Sequence, residues 1–232
     1  MTALSDRLEA VQGSVADAIR DAGRAPADVT TIVVSKFHPA SLVRELHALG
    51  VREFGESRHQ EASAKAAELT DLDLRWHFIG QLQSKKAKQA LAYARVIHSL
   101  DRDSVVDALA SGTADSATPV DVFVQVNLTD DAARGGVQAT VSASSALESL
   151  VERVTAAPGL RLLGLMTVAP LDEEPRPAFA SLRALSERVT VIDPAASALS
   201  MGMSGDYREA VLEGATHLRI GTAITGNRPP RG

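Results

Sequence analysis

Apolar residues in this chain follow two alternating patterns, one with the period of a helix and one with the length of a buried strand. At the start, apolar side chains recur at spacings of four and three residues, which predicts a helix with one apolar face that ends near Gly23. Its members are Leu4, Leu8, Val11, Val15 and Ile19. Short apolar runs then predict eight strands, at residues 31–35, 51–54, 76–79, 95–98, 120–126, 160–166, 198–201 and 217–220.

Helical patterns separate these strands and limit how the strands can pair. They cover residues 39–49, 57–69, 84–93, 101–111, 139–156, 175–189 and 207–212. Because each return to a parallel neighbour needs a helical crossover, the alternation predicts a parallel α/β fold, a (β/α)8 barrel of the TIM type. Only twelve residues follow the last strand, so we expect the extra N-terminal helix to cover the gap left by a full eighth helix. A doubly wound open sheet is the alternative.

The chain is predicted to be one domain over residues 1–232. Barrels of this class commonly reach that length as a single domain. We find no linker, low-complexity tract or solenoid-length repeat, and the proline-rich patch at residues 170–177 is interpreted as a loop within the domain.

Composition excludes several classes of function. Hydrophobic residues make up 45% of the chain and charged residues 23%, as in an ordinary globular protein. The net charge of −5 and the aromatic content of 3% argue against nucleic-acid or anionic-membrane surfaces. The absence of cysteine excludes disulfides and cysteine catalysis, and the six histidines lack paired metal-ligand spacing. With no leader pattern and no stretch of ~18 apolar residues, the expected location is cytoplasmic.

Lys36 is the most informative single residue, because it closes an apolar run that stops just before Pro39. A charged lysine buried at that depth requires a partner, and a neutral amine there is a nucleophile for carbonyl compounds. The alternative is a lysine whose side chain extends from the strand end into water. Lys36 is therefore a candidate for Schiff-base chemistry.

Polar or small residues occur at the same end of nearly every predicted strand, the end at which TIM barrels carry their active sites. Residues near loops are often polar in any fold, so this pattern does not decide the function alone. The residues concerned are Glu56 and Ser57 after the second strand, His77 in the third, His98, Ser99 and Asp101 at the fourth, Asn127 at the fifth, and Met166 with Thr167 at the sixth.

Arg219 is harder to explain as an ordinary loop residue. Alternation along the last strand places Leu218 and Ile220 on one face, with Arg219 on the other. If the apolar pair faces the outer helices, Arg219 points into the barrel. A guanidinium there needs an acceptor, such as an acidic neighbour, a phosphate or a ring nitrogen of a ligand, and a structural salt bridge is the alternative.

Two glycine-rich turns follow the seventh and eighth strands. The first contains Gly202, Ser204 and Gly205, and the second contains Gly221 and Thr222. Backbone N–H groups in such turns bind anions, and the loops after these two strands are the usual phosphate site of TIM barrels. Either turn alone is weak evidence, but together they predict a phosphate site.

A Schiff-base lysine, a phosphate site and an inward arginine together describe a pocket for pyridoxal 5′-phosphate. In this interpretation the aldehyde condenses with Lys36, and the phosphate rests on Ser204, Gly221 and Thr222. Arg219 faces the pyridine nitrogen and disfavours its protonated form, which weakens carbanion chemistry.

Seven short motifs follow one another along nearly the whole chain in a specific order and spacing. They are VVSKFHP, FGESRHQE, WHFIGQLQSKK, VQVN, GLMTV, LSMGMSGD and LRIGTAITG. The set resembles the pyridoxal phosphate homeostasis proteins of the YggS/PROSC type. This resemblance implies a fold-type III barrel, similar to the N-terminal domain of alanine racemase. It also implies a cofactor-binding set that comprises Lys36, Ser57, His77, Met166, Met203, Ser204, Arg219, Gly221 and Thr222.

The chain departs from the family pattern at two positions. The family usually has asparagine where this chain has Ser57, whose hydroxyl can donate a hydrogen bond but has a different reach. The family usually has an aromatic residue where this chain has Thr225, a change expected to alter packing more than binding.

The resemblance implies a protein that binds and buffers pyridoxal phosphate without established catalysis, with apo-enzymes as acceptors and a monomeric or weakly dimeric state. One alternative is an amino-acid racemase, which needs a second base opposite Lys36. Tyr207 is the candidate, since Tyr93 falls before the fourth strand. A Schiff-base aldolase acting on a phosphosugar is a further alternative.

Overall fold

Eight parallel strands close into a barrel in the computed structural model, which describes residues 2–114 and 116–228. The ring runs β1–β2–β3–β4–β5–β7–β8–β9 and returns to β1, so the predicted TIM-type barrel is confirmed and the open sheet is wrong. A two-residue strand, β6, lies outside the ring and pairs with β5. The strands are β1 (Thr30–Val34), β2 (Glu53–Glu56), β3 (Arg75–Phe78), β4 (Ala94–Leu100), β5 (Val120–Asn127), β6 (Val137–Gln138), β7 (Leu160–Met166), β8 (Ala198–Ser200) and β9 (His217–Ile220).

Helices cover the outside of this ring. They are α1 (Ala3–Asp21), α2 (Ala40–Ala48), α3 (His59–Glu68), α4 (Ser84–Ala90), α5 (Asp103–Thr113), α6 (Ser145–Thr155), α7 (Pro175–Ile192), α8 (Tyr207–Leu212) and α9 (Thr222–Thr225). Among the described residues, a full eighth helix is absent after the last strand, as expected, and the single turn α9 stands in its place. The N-terminal helix α1 packs against both α8 and α9, which confirms that it covers this gap.

The predicted helix at residues 139–156 is wrong over its first six residues, because α6 begins at Ser145. Thr140 and Ala143 exchange backbone hydrogen bonds of 3.1 and 3.0 Å in an isolated bridge. The hydroxyl of Ser144 donates to the carboxylate of Glu148 at 2.9 Å. Serine and threonine compete with the helical backbone in this way, and they delay the helix to the apolar face that follows.

Two apolar clusters form the core. The larger one lies between the strands and the surrounding helices and includes Leu218 and Ile220, as the alternation in β9 predicts. The smaller one lies inside the ring and consists of Val96, Phe123 and Met166. The rest of the barrel interior is rich in polar side chains, so the ring is filled only partly by apolar packing.

The N-terminal ends of the strands are joined by ion pairs, and we call them the closed end. The carboxylate of Asp121, at the start of β5, is buried. It accepts hydrogen bonds from Arg75 of β3 at 2.6 Å and from Arg161 of β7 at 2.5 and 2.9 Å. One carboxylate therefore ties three strands together, β5 with its neighbour β7 and with β3 on the far side of β4.

Two further observations concern the extent of the chain. Residues 1, 115 and 229–232 belong to the predicted single domain but lie outside the described residues, so the domain boundaries stay a prediction. Within residues 2–114 and 116–228, every helix is too short or too polar to cross a membrane.

Candidate functional site

The C-terminal ends of the barrel strands, called the mouth below, bring together most of the predicted site residues. Lys36 lies two residues beyond β1, and Ser57 directly follows β2. Strand β1 pairs with both β2 and β9, so Lys36 lies between Ser57 on one side and the turn that holds Gly221 and Thr222 on the other. Ser204 follows β8, which pairs with β9. The lysine and the two glycine-rich turns therefore occupy adjacent strand ends.

The side chain of Lys36 is exposed, so the expectation of a buried lysine is wrong. Strand β1 ends at Val34, and the chain then turns over Lys36 and Phe37 before α2. Among the hydrogen bonds and ion pairs of the described residues none involves the Lys36 ammonium, whose Nζ lies 5.9 Å from the centroid of the Phe37 ring. The structure thus shows the alternative, a lysine that extends into water at the mouth. Its amine is accessible to a carbonyl compound.

A buried ion pair fixes the residue before Lys36. The ammonium of Lys65, on α3, donates to the carbonyl oxygen of Ser35 at 2.7 Å and to Oε1 of Glu56 at 2.6 Å. The hydroxyl of Ser35 donates to the same carboxylate oxygen at 2.7 Å. Burial raises the pKa of Glu56 while the Lys65 charge opposes that shift. The backbone at Ser35 is therefore held by a charged group rather than by packing alone.

The residue after Lys36 is held by the same helix. Phe37 has a φ of 69°, a left-handed conformation that costs energy for a bulky residue. Its N–H donates to Oε2 of Glu61 at 2.9 Å, and Arg58 donates to Oε1 of Glu61 at 3.1 Å. Although burial opposes the shift, these two hydrogen bonds hold the pKa of Glu61 below its ordinary value. Sequence reasoning missed Glu61 and Lys65, whose spacing of four residues on a predicted helix was the available signal.

The two glycine-rich turns meet at the mouth, as expected. The N–H of Ala223 lies 3.5 Å from the hydroxyl oxygen of Ser204, the limiting length for a hydrogen bond. Thr222 begins α9, so its N–H has no acceptor within the helix. Gly202 has a φ of 94°, and a Cβ added there would lie 2.6 Å from the Cβ of Ala210. A hydroxyl beside backbone N–H groups suits a bound phosphate, so these residues fit the expected group.

Arg219 points into the barrel, which confirms the prediction from the alternation. It is buried, with 4% of its surface exposed. Its Nη1 donates to the hydroxyl of Ser200 at 2.6 Å, and its Nη2 donates to the carbonyl oxygen of Thr167 at 2.8 Å. Burial lowers the pKa of Arg219 to about 10, against the opposing charge of Asp206. The acceptors are therefore neutral oxygens, and no carboxylate of the described residues forms a salt bridge with this guanidinium.

Comparisons with known proteins place the chain in a family. Residues 16–229 match the family model described as "Alanine racemase, N-terminal domain". A pyridoxal phosphate homeostasis protein of Pseudomonas aeruginosa is 39% identical over 228 residues, which cover 98% of this chain and 97% of the relative. The chain belongs to the pyridoxal phosphate homeostasis protein family. The resemblance predicted from the seven motifs is confirmed.

Solved structures extend the comparison of this family member to three dimensions. PipY of Synechococcus elongatus PCC7942, in a structure with PLP bound, is 35% identical with a TM-score of 0.82. The match covers 96% of this chain and 100% of PipY. Alanine racemase of Corynebacterium glutamicum is 16% identical with a TM-score of 0.70, over 97% of this chain but 63% of the racemase. At that identity the likeness shows the shared fold alone.

Two of the residues implied by the family resemblance lie inside the barrel rather than in the turns of the mouth. His77 is buried, with 2% of its surface exposed, and hydrogen-bonds to Glu53 and His98. Met166 is equally buried and packs with Val96 and Phe123 in the inner apolar cluster. Their contact with a cofactor stays a prediction.

The two departures from the family pattern occupy different surroundings. Ser57 is partly exposed and beside a cleft of about 400 Å³. Its carbonyl oxygen lies so close to Gly80 that a Cβ added there would be 2.0 Å away. Thr225, by contrast, is buried with 6% exposure and is the last residue of α9. The effect of this substitution on packing stays a prediction. Because Thr225 is buried, a change in its side-chain volume would be felt by its neighbours.

Neither tyrosine is oriented as a second base opposite Lys36. The hydroxyl of Tyr207 donates to Oγ of Ser14 at 2.8 Å and so faces α1 on the outside of the barrel. Tyr93 is buried and hydrogen-bonded to Nδ1 of His59 at 3.2 Å. Burial, with the nearby charge of Glu56, raises the pKa of Tyr93 above its ordinary value.

Proposed function

We propose that this chain binds pyridoxal 5′-phosphate at the mouth, through a Schiff base with the amine of Lys36, and serves the homeostasis of that cofactor. The observation that carries the proposal is the position of an accessible lysine just beyond the end of β1, the strand between β2 and β9, beside the Ser204 and Thr222 turns. The names of the family members and the PLP-bound PipY structure support it.

Different residues of the mouth contact different parts of the ligand. Ser204, Gly221 and Thr222 hold the phosphate through a hydroxyl and backbone N–H groups. Arg219 faces the ring nitrogen and, as a cation, disfavours its protonated form. Pyridoxal phosphate supplies an aldehyde and an electron-withdrawing ring. An unprotonated ring nitrogen weakens that withdrawal, which suits storage of the cofactor better than catalysis.

Absence of a dedicated reaction is part of the same proposal. Racemisation needs proton-transfer groups on both faces of the substrate carbon, and Tyr207 is engaged with α1. We further predict that the protein is cytoplasmic, that it is a monomer or a weak dimer, and that it delivers the cofactor to apo-enzymes. A phosphosugar aldolase would use the same lysine, so the experiment must separate the two functions.

The decisive experiment is titration of the purified protein with pyridoxal phosphate, followed by its visible absorbance. We expect a band that Lys36→Ala abolishes and that the matched exposed-lysine variant Lys85→Ala retains. Borohydride reduction and peptide mass spectrometry should then place the cofactor on Lys36. A protein that remains colourless, or label on another lysine, contradicts the proposal. Interconversion of D- and L-alanine that Tyr207→Phe removes would instead support the racemase.

A further inference from the structure

A continuous file of hydrogen-bonded side chains crosses the interior of the barrel. Arg219 Nη1 lies 2.6 Å from Ser200 Oγ, which lies 2.8 Å from Nδ1 of His98. His98 Nε2 lies 2.9 Å from Nδ1 of His77, whose Nε2 lies 2.5 Å from Oε2 of Glu53. We call these five residues the file. Glu53 begins β2 at the closed end, and Arg219 lies one residue before the end of β9.

The two ends of the file determine where each proton lies. Arg219 can only donate, so Ser200 accepts from it and uses its own O–H to donate to Nδ1 of His98. Nδ1 of His98 is then an acceptor, and the proton of a neutral His98 must be on Nε2. That proton is donated to Nδ1 of His77, which in turn donates from Nε2 to the carboxylate of Glu53. All four bonds therefore run in one direction.

Charge states of the file support this assignment. Although partial burial opposes it, the hydrogen bond from His77 holds the pKa of Glu53 below its ordinary value, so Glu53 is an acceptor at neutral pH. Burial lowers the pKa of His77 and, more strongly, that of His98, so both rings are neutral. The charged and titratable groups around them are Arg75, Asp121, His217 and Arg219. Burial lowers the pKa of His217 to about 4, so it adds no charge at neutral pH.

We propose that Ser200, His98, His77 and Glu53 are positioning residues that hold Arg219 in the orientation in which it meets the ring of the bound cofactor. The backbone N–H of Arg219 donates to the carbonyl oxygen of Gly202 in the first turn at 2.9 Å. The four hydrogen bonds of the file, by contrast, join side chains, so the file acts on the ligand through the Arg219 guanidinium. A carboxylate at the closed end thereby fixes the tautomers of the two histidines and the direction of the Ser200 hydroxyl that meets Arg219 near the mouth. This inference rests on the proposed function.

The first test is nitrogen-15 NMR of the imidazole rings in protein without added cofactor. We expect His77 and His98 both to be neutral with the proton on Nε2. Glu53→Gln replaces an obligate acceptor by an amide that also donates, so signals of the Nδ1–H form should appear in both rings. A wild-type proton on Nδ1 of His98, or unchanged spectra in Glu53→Gln, overturns the inference.

The second test separates the ring contact from the phosphate contact. Ser200→Ala interrupts the file, and we expect affinity for pyridoxal phosphate to fall about tenfold while affinity for inorganic phosphate is unchanged. Ser99→Ala is the matched control, because Ser99 is also a buried serine and its Oγ has no partner among the described residues. Equal effects of the two variants, or equal losses for both ligands, would sink the inference. If the wild-type protein binds no pyridoxal phosphate, the proposed function is wrong. The NMR measurement of the histidine tautomers needs no cofactor and still tests the direction of the hydrogen bonds in the file.

Discussion

The two ends of the barrel use charged residues in opposite ways. At the closed end, Asp121 is buried and accepts hydrogen bonds from both Arg75 and Arg161, so its charge is paired within the protein across strands of the barrel. At the mouth, Lys36 is exposed and makes no ion pair among the described residues. A charge that is satisfied within the protein stabilises the fold, whereas a charge left in water is available to a ligand. The difference in partners, rather than residue type, separates structure from function here.

Lys65 shows that position along the barrel axis is not the deciding factor. It contacts the residue next to Lys36, yet it is buried and bonded to both Glu56 and Ser35. Two lysines near one strand end therefore have different roles. Substitutions at these two lysines and at Asp121 test the comparison directly.

Lys65→Met should give the largest loss of stability, about 3–5 kcal/mol in the free energy of unfolding, because it leaves Glu56 buried without a counter-charge. Burial already raises the pKa of Glu56, and loss of the Lys65 charge raises it further. When the pKa of a carboxyl is higher in the folded than in the unfolded protein, the folded state loses stability as the pH rises from the unfolded-state pKa to the folded-state pKa. The loss should therefore be larger at about pH 8 than at about pH 5.

Urea unfolding at both pH values measures this effect, with Lys85→Met as the exposed control. An equal effect of the two lysine substitutions would show that the Lys65 ion pair contributes nothing, and the comparison between lysines would fail.

Asp121→Ala should give the next largest loss, about 2 kcal/mol, because two charge-assisted contacts disappear while the arginines regain water. The side chains of Arg75 and Arg161 are 45% and 61% exposed, which limits the cost of leaving them unpaired. Chemical denaturation measures the loss, and Asp103→Ala is a control at an exposed carboxylate. Cofactor binding per folded molecule should not change. A loss of binding without a loss of stability would contradict the division between the two ends.

Lys36→Ala should give the smallest change, within about 0.5 kcal/mol, because its side chain is exposed and makes no hydrogen bond or ion pair with the residues that the structure describes. Thermal and urea unfolding without cofactor should be indistinguishable from wild type. The same variant is expected to lose the cofactor band. Marked destabilisation would mean that Lys36 has a structural role that its contacts do not show.

Sequence patterns were sufficient for the fold and for the strand ends at which the candidate site lies. Alternation in the last strand correctly oriented Arg219, because one face of a barrel strand must meet the outer helices. The prediction that the Lys36 side chain is buried was wrong, because an apolar run does not reveal that the strand stops at Val34. Glu61, Lys65 and the file depend on side chains from different elements. Their contacts follow from the closed ring, which a linear pattern does not contain.

The pairing of β1 with β9 has a consequence for how the chain folds. Thr30 lies opposite His217, so the first strand of the ring waits for a partner that is synthesised 187 residues later. Contacts of such long sequence separation form slowly, because the entropy of closing the loop must be lost first. Until β9 arrives, β1 presents an unpaired edge on which other chains can add. Truncation before residue 217 should therefore give an aggregating chain rather than a smaller barrel, and ring closure should be among the last steps of folding.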